Sequence, residues 1–145
     1  MHYWDTSALL KLYVSEADSA FFLELISRTH EPVATSAIAN AEVLCALSRK
    51  ESVGDLKLGG ASTVFRRFRA DCLAGRILLI PYGLDLLPVM ERLARLAFER
   101  RPPILVRSLD LIHLATAVAG KATTLVATDQ RLRELAPLLP MDVLP

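Results

Sequence analysis

The stretch His2-Tyr3-Trp4-Asp5-Thr6-Ser7-Ala8-Leu9-Leu10-Lys11-Leu12-Tyr13-Val14 reads as a short apolar strand that ends on an acid and turns at once into a helix. The predicted strand covers 2–5 and the helix 7–14. Further strands are predicted at 32–35, 77–81, 124–128 and 142–144, and further helices at 16–28, 36–50, 55–74, 84–100, 108–119 and 129–135. Strands that alternate with amphipathic helices give an α/β fold with a largely parallel sheet. The punctuation agrees: Ser36 and Ser108 are expected as N-caps, Gly75 and Gly120 as residues just past a helix end, and Arg101-Pro102-Pro103-Ile104 as a stop.

Composition narrows the class. The 145 residues are expected to form one domain, 1–145, and 52% of them are hydrophobic, too many for a disordered chain. A net charge of +1 excludes a wholesale basic nucleic-acid binder, whose entire surface must neutralise phosphates. The first residues lack a basic segment followed by an apolar one, and no apolar run reaches the roughly 18 residues that span a bilayer. Cys45 and Cys72 have no CxxC spacing and are expected as buried free thiols, which suits a reducing, cytoplasmic location and no membrane partner.

The near-neutral total is a sum of opposites. Residues 1–40 carry five acids and two bases, whereas 49–76 carry seven bases and three acids, and 91–107 five bases and two acids. Arg66, Arg67, Arg69, Arg100 and Arg101 are candidates for RNA phosphate contact, although an arginine-rich helix face is as often plain solvated surface.

Four acids stand alone. Asp5 is the only charge in 1–10, Glu42 in 32–48, Asp110 in 108–120 and Asp129 in 122–130. A carboxylate in apolar surroundings loses hydration and must neutralise, pair or bind a cation; no Lys or Arg is read as near these in sequence, which leaves pairing to tertiary partners open. Asp5 and Asp129 each follow a strand and open a helix, and Asp110 lies in a first helical turn, so each singly is explained by capping. Glu42, read as mid-helical, has no such explanation. Ligands in open α/β sheets bind outside the carboxyl ends of the strands, where these acids fall. Two carboxylates about 5 Å apart repel by roughly 3 kcal/mol at an effective dielectric near 20, so a cluster invites a divalent ion, and all-oxygen ligation suits Mg²⁺ or Mn²⁺.

These residues carry a resemblance. Residues 5–14 with Glu16 resemble the opening motif of PIN-domain proteins, particularly VapC-like toxins of bacterial toxin–antitoxin pairs. Ala41-Glu42-Val43 with Ala46-Leu47 resembles their second acidic motif, 107–117 (Arg107-Ser108-Leu109-Asp110 onward) the third, and Leu125-Val126-Ala127-Thr128-Asp129-Gln130-Arg131-Leu132 the last. The resemblance implies a three-layer α/β/α fold and an Mg²⁺-dependent endoribonuclease held inactive by a cognate antitoxin, by family habit a homodimer. It puts Asp5, Glu42, Asp110 and Asp129 at the acidic, metal-holding site, with hydroxyls of Thr6, Ser7 and Thr128 in support. One position departs: the family often has Ser or Thr two before the last Asp, where this chain has Ala127.

Such a site would activate water for in-line attack on phosphorus, leaving 5′-phosphate and 3′-hydroxyl ends. The rival reading is a PIN fold kept as an inactive RNA- or protein-binding module. His113, one turn after Asp110, is expected as a packing histidine, because nothing completes a zinc set. The Phe65 and Phe68 pair is expected in the core rather than stacked on bases.

Overall fold

Strand β1 (His2–Trp4) sends neighbouring side chains to opposite faces, and this alternation builds the layers. Tyr3 enters a core with Leu93, Leu114 and Leu132, while Trp4 enters a second core with Phe22, Leu47 and Phe68. The computed structural model describes residues 1–145. After β1 come α1 (Thr6–Leu10), α2 (Ser19–Arg28), β2 (Val33–Ser36), α3 (Ala39–Ser52), α4 (Gly60–Leu73) and β3 (Ile77–Ile80). The chain continues through α5 (Leu87–Phe98), α6 (Ser108–Ala119), β4 (Thr124–Val126), α7 (Gln130–Leu135) and β5 (Asp142–Leu144).

The five strands are all parallel, in the order β3-β2-β1-β4-β5. One core is fed by α2, α3 and α4 and the other by α5, α6 and α7, so the sheet is covered on both faces, as buried parallel strands require. The expected α/β class and mainly parallel sheet between helical layers are therefore what the chain adopts. No helix is long and apolar enough to cross a membrane.

Several boundaries move, each for a local reason. Ser36 is not an N-cap: it pairs with Ile80 as the last residue of β2 and is fully buried, so α3 starts later, at Ala39. Ser108 is the first residue of α6, and the cap position belongs to Arg107. Gly75 does leave α4 in the left-handed conformation, at φ 73°. Gly120 does not: it ends α6 at φ −74°, and Lys121 takes the left-handed turn at φ 56°. A Cβ on Gly120 would meet Ile80 Cδ1 at 2.6 Å, so the glycine serves a close approach to β3 instead.

The thiols differ from expectation as well. Cys45 is exposed and Cys72 half-buried, because α3 and α4 turn these positions partly away from the sheet. Phe68 is fully buried and stacks on Phe65 at 6.2 Å, as core residues.

Candidate active site

The chain runs from β1 outward through β2 to β3, then returns to place β4 on the other side of β1. Segments leaving neighbouring strands at such a reversal diverge and open a crevice. Here the crevice is a cleft of about 600 Å³. Asp5, Glu42, Asp110 and Asp129 all line it, together with Thr6, Ser7, His113 and the guanidinium-bearing Arg49 and Arg107.

Asp5 follows β1, whose alignment with β4 is extended by a hydrogen bond from Asp5 N–H to the Val126 carbonyl at 3.0 Å. Its carboxylate caps α1, accepting from Ala8 N–H at 3.1 Å and Ser7 N–H at 3.3 Å, and from the Ser7 hydroxyl at 2.8 Å. Capping and cleft-lining are thus one position, not alternatives. Burial pushes the Asp5 carboxyl above the usual range, against those hydrogen bonds and the neighbouring His113. Since the Ser7 hydrogen goes to Asp5, the Thr128 hydroxyl donates to Ser7 Oγ at 2.6 Å, tying the loop after β4 to the loop after β1. Thr128 thereby supports Asp5 indirectly even though Ala127 occupies the position where a hydroxyl was expected.

Glu42 lies in the first turn of α3, not mid-helix, because the helix starts after Ser36 rather than at it. Its Oε2 accepts from the Thr6 hydroxyl at 2.5 Å and lies 2.6 Å from His113 Nε2. Burial raises the Glu42 carboxyl, but the hydrogen bonds from His113 and Thr6 and the His113 charge outweigh it, and the group stays below its ordinary range. His113 is only 3% exposed, yet it is not a packing residue alone: its Nδ1 is hydrogen-bonded to the Tyr3 hydroxyl at 2.7 Å and its ring reaches the cleft. The readable signal was its place one turn after Asp110 on the same helix face.

Asp110 reaches back from the start of α6 to accept the Arg107 backbone N–H at 3.2 Å. Burial raises its carboxyl, and the negative charge of Asp129 raises it further, opposed by the Arg107 backbone bond and the charges of Arg107 and Arg131. Asp129 caps α7 through Arg131 N–H at 2.8 Å, and the Arg131 guanidinium stands 3.6 Å from its other oxygen. The expectation that no Lys or Arg lies near these acids in sequence is therefore corrected. Arg131 lies one residue past the charge-poor window, and Arg107 one residue before another.

The expected RNA-contacting arginines lie elsewhere. Arg66, Arg67, Arg69, Arg100 and Arg101 are all exposed, and none lines the cleft. Arg101 is occupied at the end of α5, donating to the carbonyls of Phe98, Glu99 and Arg100 at 3.4, 3.3 and 2.9 Å.

The donor chemistry fits a hard divalent cation. Asp5, Asp110 and Asp129 offer only oxygen, and burial disfavours the charge on Asp5 and Asp110, which a cation would relieve. No three His, Cys, Asp or Glu side chains converge as a closed ligand cage. Magnesium does not need one, since it is commonly held by one or two carboxylates and retains several waters.

The PIN domain family model matches residues 3–138. The chain belongs to the PIN domain family. Two relatives in Mycobacterium tuberculosis agree along nearly the whole PIN chain. Ribonuclease VapC46 is 38% identical over 144 residues, covering 98% of this chain and 95% of its own. Ribonuclease VapC47 is 34% identical over 137 residues, covering 91% and 87%. Among solved structures, VapBC2 from Rickettsia felis, bound to a DNA fragment from its promoter, superimposes with a TM-score of 0.69 over 100% of both chains at 20% identity, a likeness of fold.

Proposed function

We propose that this PIN chain, working as one domain over residues 1–145, is an Mg²⁺- or Mn²⁺-dependent endoribonuclease and the toxin of a toxin–antitoxin pair. The observation that carries the reading is the gathering of Asp5, Glu42, Asp110 and Asp129 from four separate segments into one cleft. The two relatives named ribonuclease support the same substrate class. The likeness of fold to VapBC2 from Rickettsia felis supports a protein partner, an antitoxin.

Asp5 and Asp110 would hold the ion, and Glu42 and Asp129, which line the same cleft, would steer it. When bound, a divalent ion withdraws charge from a phosphoryl oxygen and makes nearby water acidic. The remaining work belongs to the protein. Ser7 and Thr128 fix the Asp5 carboxylate, and Glu42, ionised and accepting only, takes a proton from or orients an attacking water. In-line attack expels the 3′ oxygen and leaves 5′-phosphate and 3′-hydroxyl ends. Arg49 and Arg107 on the cleft walls would grip flanking phosphates, with Arg66, Arg67, Arg69, Arg100 and Arg101 as outer contacts, so RNA binding weakens steeply as salt rises in a filter-binding series. Exposed Leu58 and Leu73 leave apolar surface for a homodimer, which light scattering would read as twice the 16.0 kDa chain mass. The location proposed is the cytoplasm.

Incubating the protein with RNA in Mg²⁺ and in EDTA, beside Asp5→Asn and Asp110→Asn, tests the reading. Cleavage is expected in Mg²⁺ only, with each variant reduced about 100-fold or more, the equivalent of several kcal/mol of transition-state stabilisation. Cleavage that persists in EDTA or in both variants would sink the mechanism. RNA bound but uncut by the wild type would favour the inactive binding module.

A further inference from the structure

A line of buried polar atoms crosses from the sheet to the cleft. Tyr3, fully buried in β1, brings its hydroxyl to 2.7 Å from His113 Nδ1, and the two rings meet edge-on with centroids 5.8 Å apart. The other ring nitrogen lies 2.6 Å from Glu42 Oε2, where the Thr6 hydroxyl also arrives at 2.5 Å. Thr6 Oγ1 is itself 3.3 Å from that nitrogen, so groups from α1, α3 and α6 meet at a single carboxylate oxygen.

The chemistry of the partners directs the contact with Glu42. An ionised carboxylate only accepts, so His113 Nε2 must carry a hydrogen. A tyrosine hydroxyl can donate or accept, so Tyr3 pairs with Nδ1 whether or not that nitrogen carries a hydrogen. The fixed step is His113 Nε2–H donating to Glu42 Oε2, with the Tyr3 hydroxyl anchoring the ring from its other nitrogen. Both donors on Glu42 land on Oε2, and Oε1 is engaged by neither of them. A glutamate at the start of a helix, left to itself, samples many rotamers and swings towards water. A ring locked at both nitrogens and buried to 3% exposure removes that freedom.

We propose that Tyr3 and His113 are positioning residues for the acidic site, holding Glu42 by Oε2 so that Oε1 is presented to the cleft. The effect on catalysis rests on the nuclease reading; the geometry does not. Neither residue touches substrate. Both act through Glu42, as groups behind a functional carboxylate commonly do, at a typical cost of about 10–100-fold when removed.

Two measurements separate the claims. In ¹⁵N-labelled, metal-free protein, imidazole NMR assigned with His113→Gln should show His113 with hydrogen on Nε2, and Tyr3→Phe should shift the Nδ1 resonance. Hydrogen on Nδ1 alone would overturn the proposal whatever the activity. In RNA cleavage, Tyr3→Phe and His113→Leu should lower kcat about 10-fold or more with KM nearly unchanged. His113→Gln, which keeps a donor near Nε2, should recover part of the loss, and neither Tyr3→Phe nor His113→Leu should cost anything further in a Glu42→Gln background. Full, additive losses in that background would show a role that does not pass through Glu42. If Tyr3→Phe alone folds, its kcat and spectrum decide the matter. If the wild type cleaves no RNA, the nuclease reading fails and the tautomer still decides the positioning claim.

Discussion

Asp5 and Asp110 keep their carboxyls in a cleft that disfavours their charge, whereas Glu42 is held ionised by its neighbours, and this contrast is measurable. A group raised on folding contributes stability below its unfolded value and loses it as pH rises through the folded one. In the metal-free protein, Asp5 and Asp110 therefore weaken the fold as pH climbs above the ordinary carboxylate range. Glu42 has the opposite sign: its contribution is present above its unfolded value, near 4.5, and lost as pH falls through the lowered one. The melting temperature of metal-free wild type should thus decline towards neutral pH more than that of Asp110→Asn, and Mg²⁺ should raise the former but not the latter. Equal pH slopes and equal Mg²⁺ effects would contradict the assignment. The four acids were legible because each is alone among apolar residues. For His113 only its place one turn after Asp110 was legible and not its role, because a histidine on an apolar helix face reads the same whether it packs or orients a neighbour. Only its contacts with Tyr3 and Glu42 separate the two.

Among the secondary-structure elements, the helix ends teach most. After α4, Gly75 N–H bonds Cys72 O at 3.1 Å and Arg76 N–H bonds Asp71 O at 2.9 Å, the doubled closure of a helix end with glycine in the left-handed position. After α6, the same closure is made by Lys121 N–H to Val118 O at 3.0 Å and Ala122 N–H to Ala117 O at 2.9 Å. The left-handed residue is therefore Lys121, one past the glycine. Sequence alone puts the turn at Gly120; the close approach of Ile80 and Met1 claims that glycine for packing instead. Lys121→Gly should relieve the backbone penalty and stabilise the protein by about 1 kcal/mol, raising the melting temperature by about 3 °C in a thermal scan. A decrease would show that Lys121 makes compensating contacts. Strands β1 and β4 were readable from their apolar runs, but α3 was placed too early because the pairing of Ser36 with Ile80 is a long-range fact.

For the whole molecule, a net charge of +1 conceals a separation of charge. The parallel sheet draws acids from the ends of β1 and β4 and from α3 and α6 into one cleft, and cations from Arg49, Arg107 and Arg131 border it. The layered α/β architecture was legible from the alternation of strands and helices. Which arginines border the cleft was not, because that depends on how α3 and α6 pack against the sheet. The central claim is that this cleft directs water, not the RNA's own 2′-hydroxyl, onto phosphorus. It is tested most directly by analysing the ends of RNA fragments produced in Mg²⁺. We predict 5′-phosphate and 3′-hydroxyl ends, absent in Asp110→Asn. Fragments ending in 2′,3′-cyclic phosphate with 5′-hydroxyl partners would contradict it.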